Sequence, residues 1–172
     1  MGTQRVGIDR LDVGYLGFED YNDTSTAAGL ALSDDTWTNV PNNGLGAFTN
    51  KTYSPDKGDL INSSGQLVLS GLSLGDSVLV RNDVRVTPSI SGAYLEWRYQ
   101  LGNGGGLYYL TKPLGQLDDG AREYSFQFLQ LIYVGDTNTK DAPCVPQIRC
   151  TETATLRNLG SVVAVFKYGG NP

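Results

Sequence analysis

Glu96 and Glu123 are the carboxylates that could do chemistry as a pair, since on neighbouring strands they would supply the acid and base of a glycosidase. Both, however, fall at outward positions of strands that alternate apolar and polar residues, and a lone carboxylate pair signals a site weakly. Solvated surface charge is the reading adopted. The cluster Glu19, Asp20 and Asp23 and the pairs Asp34-Asp35 and Asp118-Asp119 offer oxygen ligands to calcium, but none has EF-hand spacing, and turn chemistry accounts for them. Histidine is absent, which removes the commonest general base, the usual zinc ligand and every Ser-His or Cys-His nucleophile. Cys144 and Cys150 are the only two cysteines. Six positions apart on one extended strand, they would stand about 20 Å from each other, so a disulfide needs a turn between them, which Pro143 and Pro146 would permit. Two reduced, buried thiols are expected instead. The run GNGGG at 102–106 is not a dinucleotide fingerprint, because Leu107 takes the place of the last glycine and Tyr108-Tyr109 follow where a helix should start. The expectation is a protein that is not an enzyme, with no cofactor and no metal.

The elements that hold these residues are strands. At 172 residues the chain fits one domain, and a hydrophobic share of 40% is enough for a core without staples. Twenty-two glycines and seven prolines disfavour long helices. The formal charge of −5 argues against nucleic acid as a partner. Residues 1–11 lack the apolar stretch of about 7–15 residues that a secretory signal needs, and no span of ~20 apolar residues follows, so synthesis in the cytoplasm and no membrane partner are expected. The Asn-x-Ser/Thr matches at Asn22, Asn50 and Asn62 then carry no weight for glycosylation.

Alternation at period two marks the strands. In residues 77–86, Val78, Val80, Val84 and Val86 share one face, and Arg81, Asp83 and Arg85 share the other. Residues 93–101 repeat the pattern, with Leu95, Trp97, Tyr99 and Leu101 inward and Glu96, Arg98 and Gln100 outward. The glycine run links them to a strand that starts at 107. Residues 122–134 form the longest candidate: Tyr124, Phe126 and Phe128 alternate with Glu123, Ser125 and Gln127. Its second half, LQLIYV, then adds Leu129, Leu131 and Tyr133 as a second apolar face. The run VVAVFKY at 162–168 is two-faced in the same way. One face of an antiparallel sheet normally meets the core, so the second is covered by another subunit or, alternatively, by a loop; self-association is the reading taken. Of the ten tyrosines, Tyr94, Tyr108, Tyr109 and Tyr133 are candidate interface anchors or carbohydrate platforms, whereas Tyr99 and Tyr124 are assigned to the core.

Turn signals at 63–65, 74–76, 91–92, 102–106, 118–120, 135–138 and 158–160 separate about eight strands, which describes an all-β, antiparallel jelly-roll sandwich. The first 60 or so residues are polar and low in complexity, with apolar patches at 13–18 and 30–32, and cannot fill a core alone. The division expected is an extended N-terminal arm, residues 1–36, and a jelly-roll domain, residues 37–172, with Trp37 starting the ordered body.

The succession GQLVLSGLSLGDSVLVRNDVRVTP, AYLEWRYQLG, REYSFQFLQLIYV and SVVAVFKYG resembles the trimeric jelly rolls of the tumour necrosis factor and complement-head type. In particular it resembles the versions found in virion structural proteins of tailed bacteriophages, of the head decoration or cement type. The resemblance implies a homotrimer closed around a threefold axis, seated on the virion capsid surface, with the major capsid protein as partner. It implies threefold contacts at Leu129, Leu131, Tyr133, Val163 and Val165; a one-residue slip would replace the two valines by Val162 and Ala164. It also implies a capsid-gripping or neighbour-gripping arm carrying Val6, Ile8, Leu11, Val13, Tyr15, Leu16 and Phe18. The alternative is a receptor-binding or tail-tip module whose loops, 102–106 and 135–143, recognise a host-surface glycan.

Overall fold

The computed structural model describes residues 14–51 and 58–167. Among them nine strands form: β1 Gly14–Asn22, β2 Leu30–Leu32, β3 Thr38–Asn39, β4 Ser77–Pro88, β5 Ala93–Leu101, β6 Tyr108–Leu117, β7 Tyr124–Tyr133, β8 Val145–Cys150 and β9 Ala154–Lys167. A single helical turn, α1 Thr137–Asp141, sits between β7 and β8. The first sheet runs β1-β9-β4-β7, with β2 also on β9, and the second runs β3-β8-β5-β6. Every pairing is antiparallel. Two antiparallel sheets packed face to face in this order make a jelly roll.

Period-two patterning sends alternate side chains into the space between the sheets. Val78, Val80, Val84 and Val86 of β4 are wholly buried, facing Leu95, Trp97, Tyr99 and Leu101 of β5. Trp97 stands edge-on to Phe128 of β7, with ring centroids 5.1 Å apart, a favoured aromatic geometry. One polar residue interrupts the valine row: Asn82, whose side-chain oxygen accepts hydrogen bonds from the Tyr99 hydroxyl (2.9 Å) and the Ser161 hydroxyl (3.1 Å). Those bonds offset the cost of burying its carbonyl group.

The structure corrects the expected division at Trp37. β1 pairs along its length with β9, and β2 pairs with β9 as well. Tyr21, Leu32 and Val40 are buried in the common core. From Gly14 onward the segment is therefore an integral part of the sandwich; residues too polar to make a core of their own borrow that of the later strands.

The turn expected at 158–160 is a bulge inside β9. Asp83 pairs with Gly160 and Val84 with Asn158, so Leu159 is the extra residue. Gly160 has φ of 140°, and an added Cβ would collide with the Tyr21 carbonyl oxygen. Only glycine lets β1 approach this closely. The bulge also reverses the facing of β9: Ala154, Leu156 and Asn158 point inward before it, Ser161, Val163 and Val165 after it.

Candidate functional site

The outer surfaces of the two sheets differ in kind. On the second sheet the exposed side chains satisfy one another. The Arg98 guanidinium lies 4.0 Å from the ring centroids of both Trp37 and Tyr109. It donates to Gln147 (2.7 Å), which donates in turn to Asn39 (2.8 Å). Arg149 pairs with Glu96 and with Asp35 (3.2 Å). Charged and aromatic side chains share this face, with Tyr94, Tyr108 and Tyr109 partly exposed.

The first sheet turns apolar residues outward. Its registers align them in rows across β7, β4, β9 and β1. One row is Tyr133, Ser77, Phe166 and Tyr15; the next is Leu131, Leu79, Ala164 and Phe18; the third is Leu129, Arg81, Val162 and Asp20. Tyr15, Phe18, Leu129, Leu131 and Tyr133 are each at least half exposed. Tyr15 and Phe18, three residues apart, both face outward because a bulge at Leu16 adds one residue to β1. Tyr15 rests on Phe166 with centroids 5.7 Å apart. Strand spacing and rise give the three rows a footprint of roughly 400 Å², the size of the largest apolar patch on an ordinary single chain, which is often a functional surface.

Charge begins at the third row. Arg81 bridges to Asp83 at 3.0 Å. Burial raises the Asp20 pKa, Arg81 opposes the rise and Asp83 adds to it. The apolar patch is thus bounded on one side by two carboxylates around one guanidinium.

These positions can be set against the expected contact residues. Leu129, Leu131 and Tyr133 share the outward face of β7. Val163 and Val165 do not: both are wholly buried in the core of their own chain, so their place as candidate contacts passes to the half-buried Val162 and Ala164. The cause is the bulge at Leu159, which sets the parity of everything after it. Leu79 and Phe166 belong to the same patch and were missed; an apolar residue on the otherwise charged face of β4 was the available signal for Leu79. Of the expected arm, Val6, Ile8, Leu11 and Val13 lie outside the described residues. Tyr15 and Phe18 are on β1, and Leu16 packs against the core of its own chain.

The remaining candidates separate in the same manner. Glu96 is on β5 of the second sheet, while Glu123 precedes β7 of the first and pairs with Arg85 (3.2 Å) and Arg157 (3.7 Å), so the two carboxylates are not a pair. Asp23 accepts hydrogen bonds from Ser25, Thr26 and Asn43 as a turn residue. Among the described residues no group of three metal-binding side chains occurs. Cys144, just before β8, and Cys150, its last residue, are unbridged and buried. Tyr99 is core and Tyr124 is half-buried. The loops 102–106 and 135–143 meet: Asn138 accepts from the Asn103 amide (3.0 Å) and donates to the Gly106 carbonyl (2.8 Å).

No family model and no curated protein sequence matches the chain. Among solved structures, the Eiger TNF of S. frugiperda is similar, with a TM-score of 0.51 at 10% identity over 92% of this chain and 96% of that one. The PRD1 vertex protein P5 aligns at a TM-score of 0.37 and 14% identity, covering 91% of this chain and 99% of its own. Infectious bursal disease virus, Gx strain, aligns at 0.36 and 11% identity over 90% of this chain and 30% of that chain. The first likeness is one of fold; the other two are too loose to argue from.

Proposed function

We propose that this chain is a non-enzymatic virion structural protein: a homotrimer that decorates the head of a tailed bacteriophage and ties neighbouring major capsid subunits together. One observation carries the reading. Four strands turn contiguous apolar rows to solvent, and identical copies are the natural cover for such a surface. Leu129, Leu131 and Tyr133 are then the central contacts, with Leu79, Val162 and Ala164 beside them. Val6, Ile8, Leu11 and Val13 belong to the segment that reaches capsid or neighbour, rooted in β1. Apolar burial contributes about 25 cal/mol per Å², and many weak seats repeated over a shell resist the pressure of packaged DNA together.

Light scattering on the full chain at micromolar concentration tests the assembly, with three copies expected and a stable monomer fatal to the idea. Removal of residues 1–13 tests the arm. The truncation stops at 13 because Gly14–Asn22 is a strand. The shortened protein should remain trimeric and fail to load onto purified capsids.

The interlocked loops favour a second reading, a receptor-binding or tail-tip module for a host-surface glycan. Asn138 fastens 102–106 to the α1 segment, and Tyr108 and Tyr109 stand partly exposed beside it. Host-cell binding would survive loss of residues 1–13, whereas capsid loading would not.

A further inference from the structure

We propose that a cleft on the outer face of the first sheet, at the end away from Tyr133, binds a neutral saccharide. The cleft has a volume of about 620 Å³, within the range of small-ligand sites. Its floor is two cross-strand pairs, Asp83 with Gln127 and Arg85 with Ser125. They set a carboxylate, a carboxamide, a guanidinium and a hydroxyl side by side.

Two apolar side chains stand at the rim. Leu159 is pushed out by the β9 bulge and is 41% exposed. Phe48 is 81% exposed, on a loop tied down to β1. The Gly46 amide donates to the Asn22 carbonyl (2.9 Å), and the Asn22 amide donates to the Thr49 hydroxyl (2.9 Å). An exposed phenyl ring on a fastened loop, lining the same cleft as planar polar groups, fits a pyranose, which has an apolar C–H face and a hydroxyl-bearing edge.

Charge selects the ligand class. Asp83 is neutralised by Arg81 at 3.0 Å and Arg85 by Glu123 at 3.2 Å. The Asp23 carboxylate at the margin is engaged by Ser25, Thr26 and Asn43. A balanced floor gives no advantage to a phosphate, a sulfate or a cation. The exposed Ser125 hydroxyl and Gln127 carboxamide each offer both a donor and an acceptor, which matches the donor-and-acceptor character of a sugar hydroxyl.

The cleft adjoins the association surface proposed above: Gln127 of its floor is two positions from Leu129 on β7, about 7 Å along an extended strand, while Ser125 lies further out. The cleft is separate from the loop tip at 102–106, which lies on the second sheet.

The test is isothermal titration of the full chain with maltotriose, cellotriose, mannotriose and chitotriose, with sialyllactose and a sulfated chondroitin disaccharide as charged probes. At least one neutral trisaccharide should bind with Kd below about 1 mM. Phe48→Ala should weaken that binding about tenfold through the lost stacking face. Ser125→Trp, which fills the cleft from an exposed position, should abolish it, and light scattering should be unchanged in both variants. Failure of all four neutral probes, binding that survives both substitutions, or preference for a charged probe overturns the proposal. Subunit number is read separately by scattering, so the two readings fail independently.

Discussion

Leu131 on β7 stands directly opposite Leu79 on β4, on the outer surface of the first sheet, and Leu131 is 57% exposed. Val163, on the neighbouring strand β9, is completely buried. Leu131→Glu should leave the stability of the single chain within about 0.5 kcal/mol, as exposed positions do, while abolishing association. Val163→Ala should cost about 2 kcal/mol through lost core packing and leave the contact surface in place. Denaturant unfolding beside light scattering separates the two; equal effects of both variants on association would count against the facing described.

Gly160→Ala should be among the most damaging single-methyl additions. The φ of 140° excludes an L side chain, and the new Cβ meets the Tyr21 carbonyl oxygen. A loss of at least about 2 kcal/mol is expected from strain and the displaced β1. Hydrogen exchange should show β1 opening before β4 does.

Asp20 and Asp23 act oppositely with pH. Burial by itself would raise the Asp23 pKa, but hydrogen bonds from Ser25, Asn43 and Thr26 outweigh it and hold the carboxyl below its usual value of 3.8. The stability Asp23 contributes is therefore complete above 3.8 and lost as pH falls through the lower, folded value. For Asp20, burial raises the pKa, so ionising it costs stability as pH rises above 3.8. Asp23→Ala should destabilise the chain by about 1–3 kcal/mol at neutral pH, with the difference from the parent shrinking below pH 3.8. Thermal melts across the acid range measure it; a difference that stayed constant would exclude the hydrogen-bonded carboxylate as its source.

The two thiols should be inert in the folded protein. Burial pushes the Cys144 thiol up to about 12 and raises Cys150 as well, so little thiolate exists at pH 8 to attack a reagent. Disulfide-exchange labelling should modify neither cysteine in native protein and both in guanidinium. Prompt native labelling of Cys144 would contradict its burial.

Local pattern carried much of this protein. Alternation is a property of consecutive residues, so the valine row of β4, the Leu95, Trp97, Tyr99 and Leu101 row of β5 and the outward run Leu129, Leu131, Tyr133 could be read directly from the chain, and with them the two-sheet class. Chemistry was equally local: without histidine, with two distant thiols and carboxylates in turns or ion pairs, there was little to assemble. What needed the tertiary structure was every decision taken between strands. Whether Val162 or Val163 faces the core depends on one extra residue at Leu159, and that bulge exists because Gly160 must let Tyr21 approach; the contact joins residues 139 positions apart in the chain. In the same way β1 looked like a loose tail, since its partner β9 lies at the far end of the sequence. The cleft between Phe48 and Leu159 combines five separate segments. No periodicity encodes such meetings, because side-chain parity is inherited along one strand while register is negotiated with its neighbour.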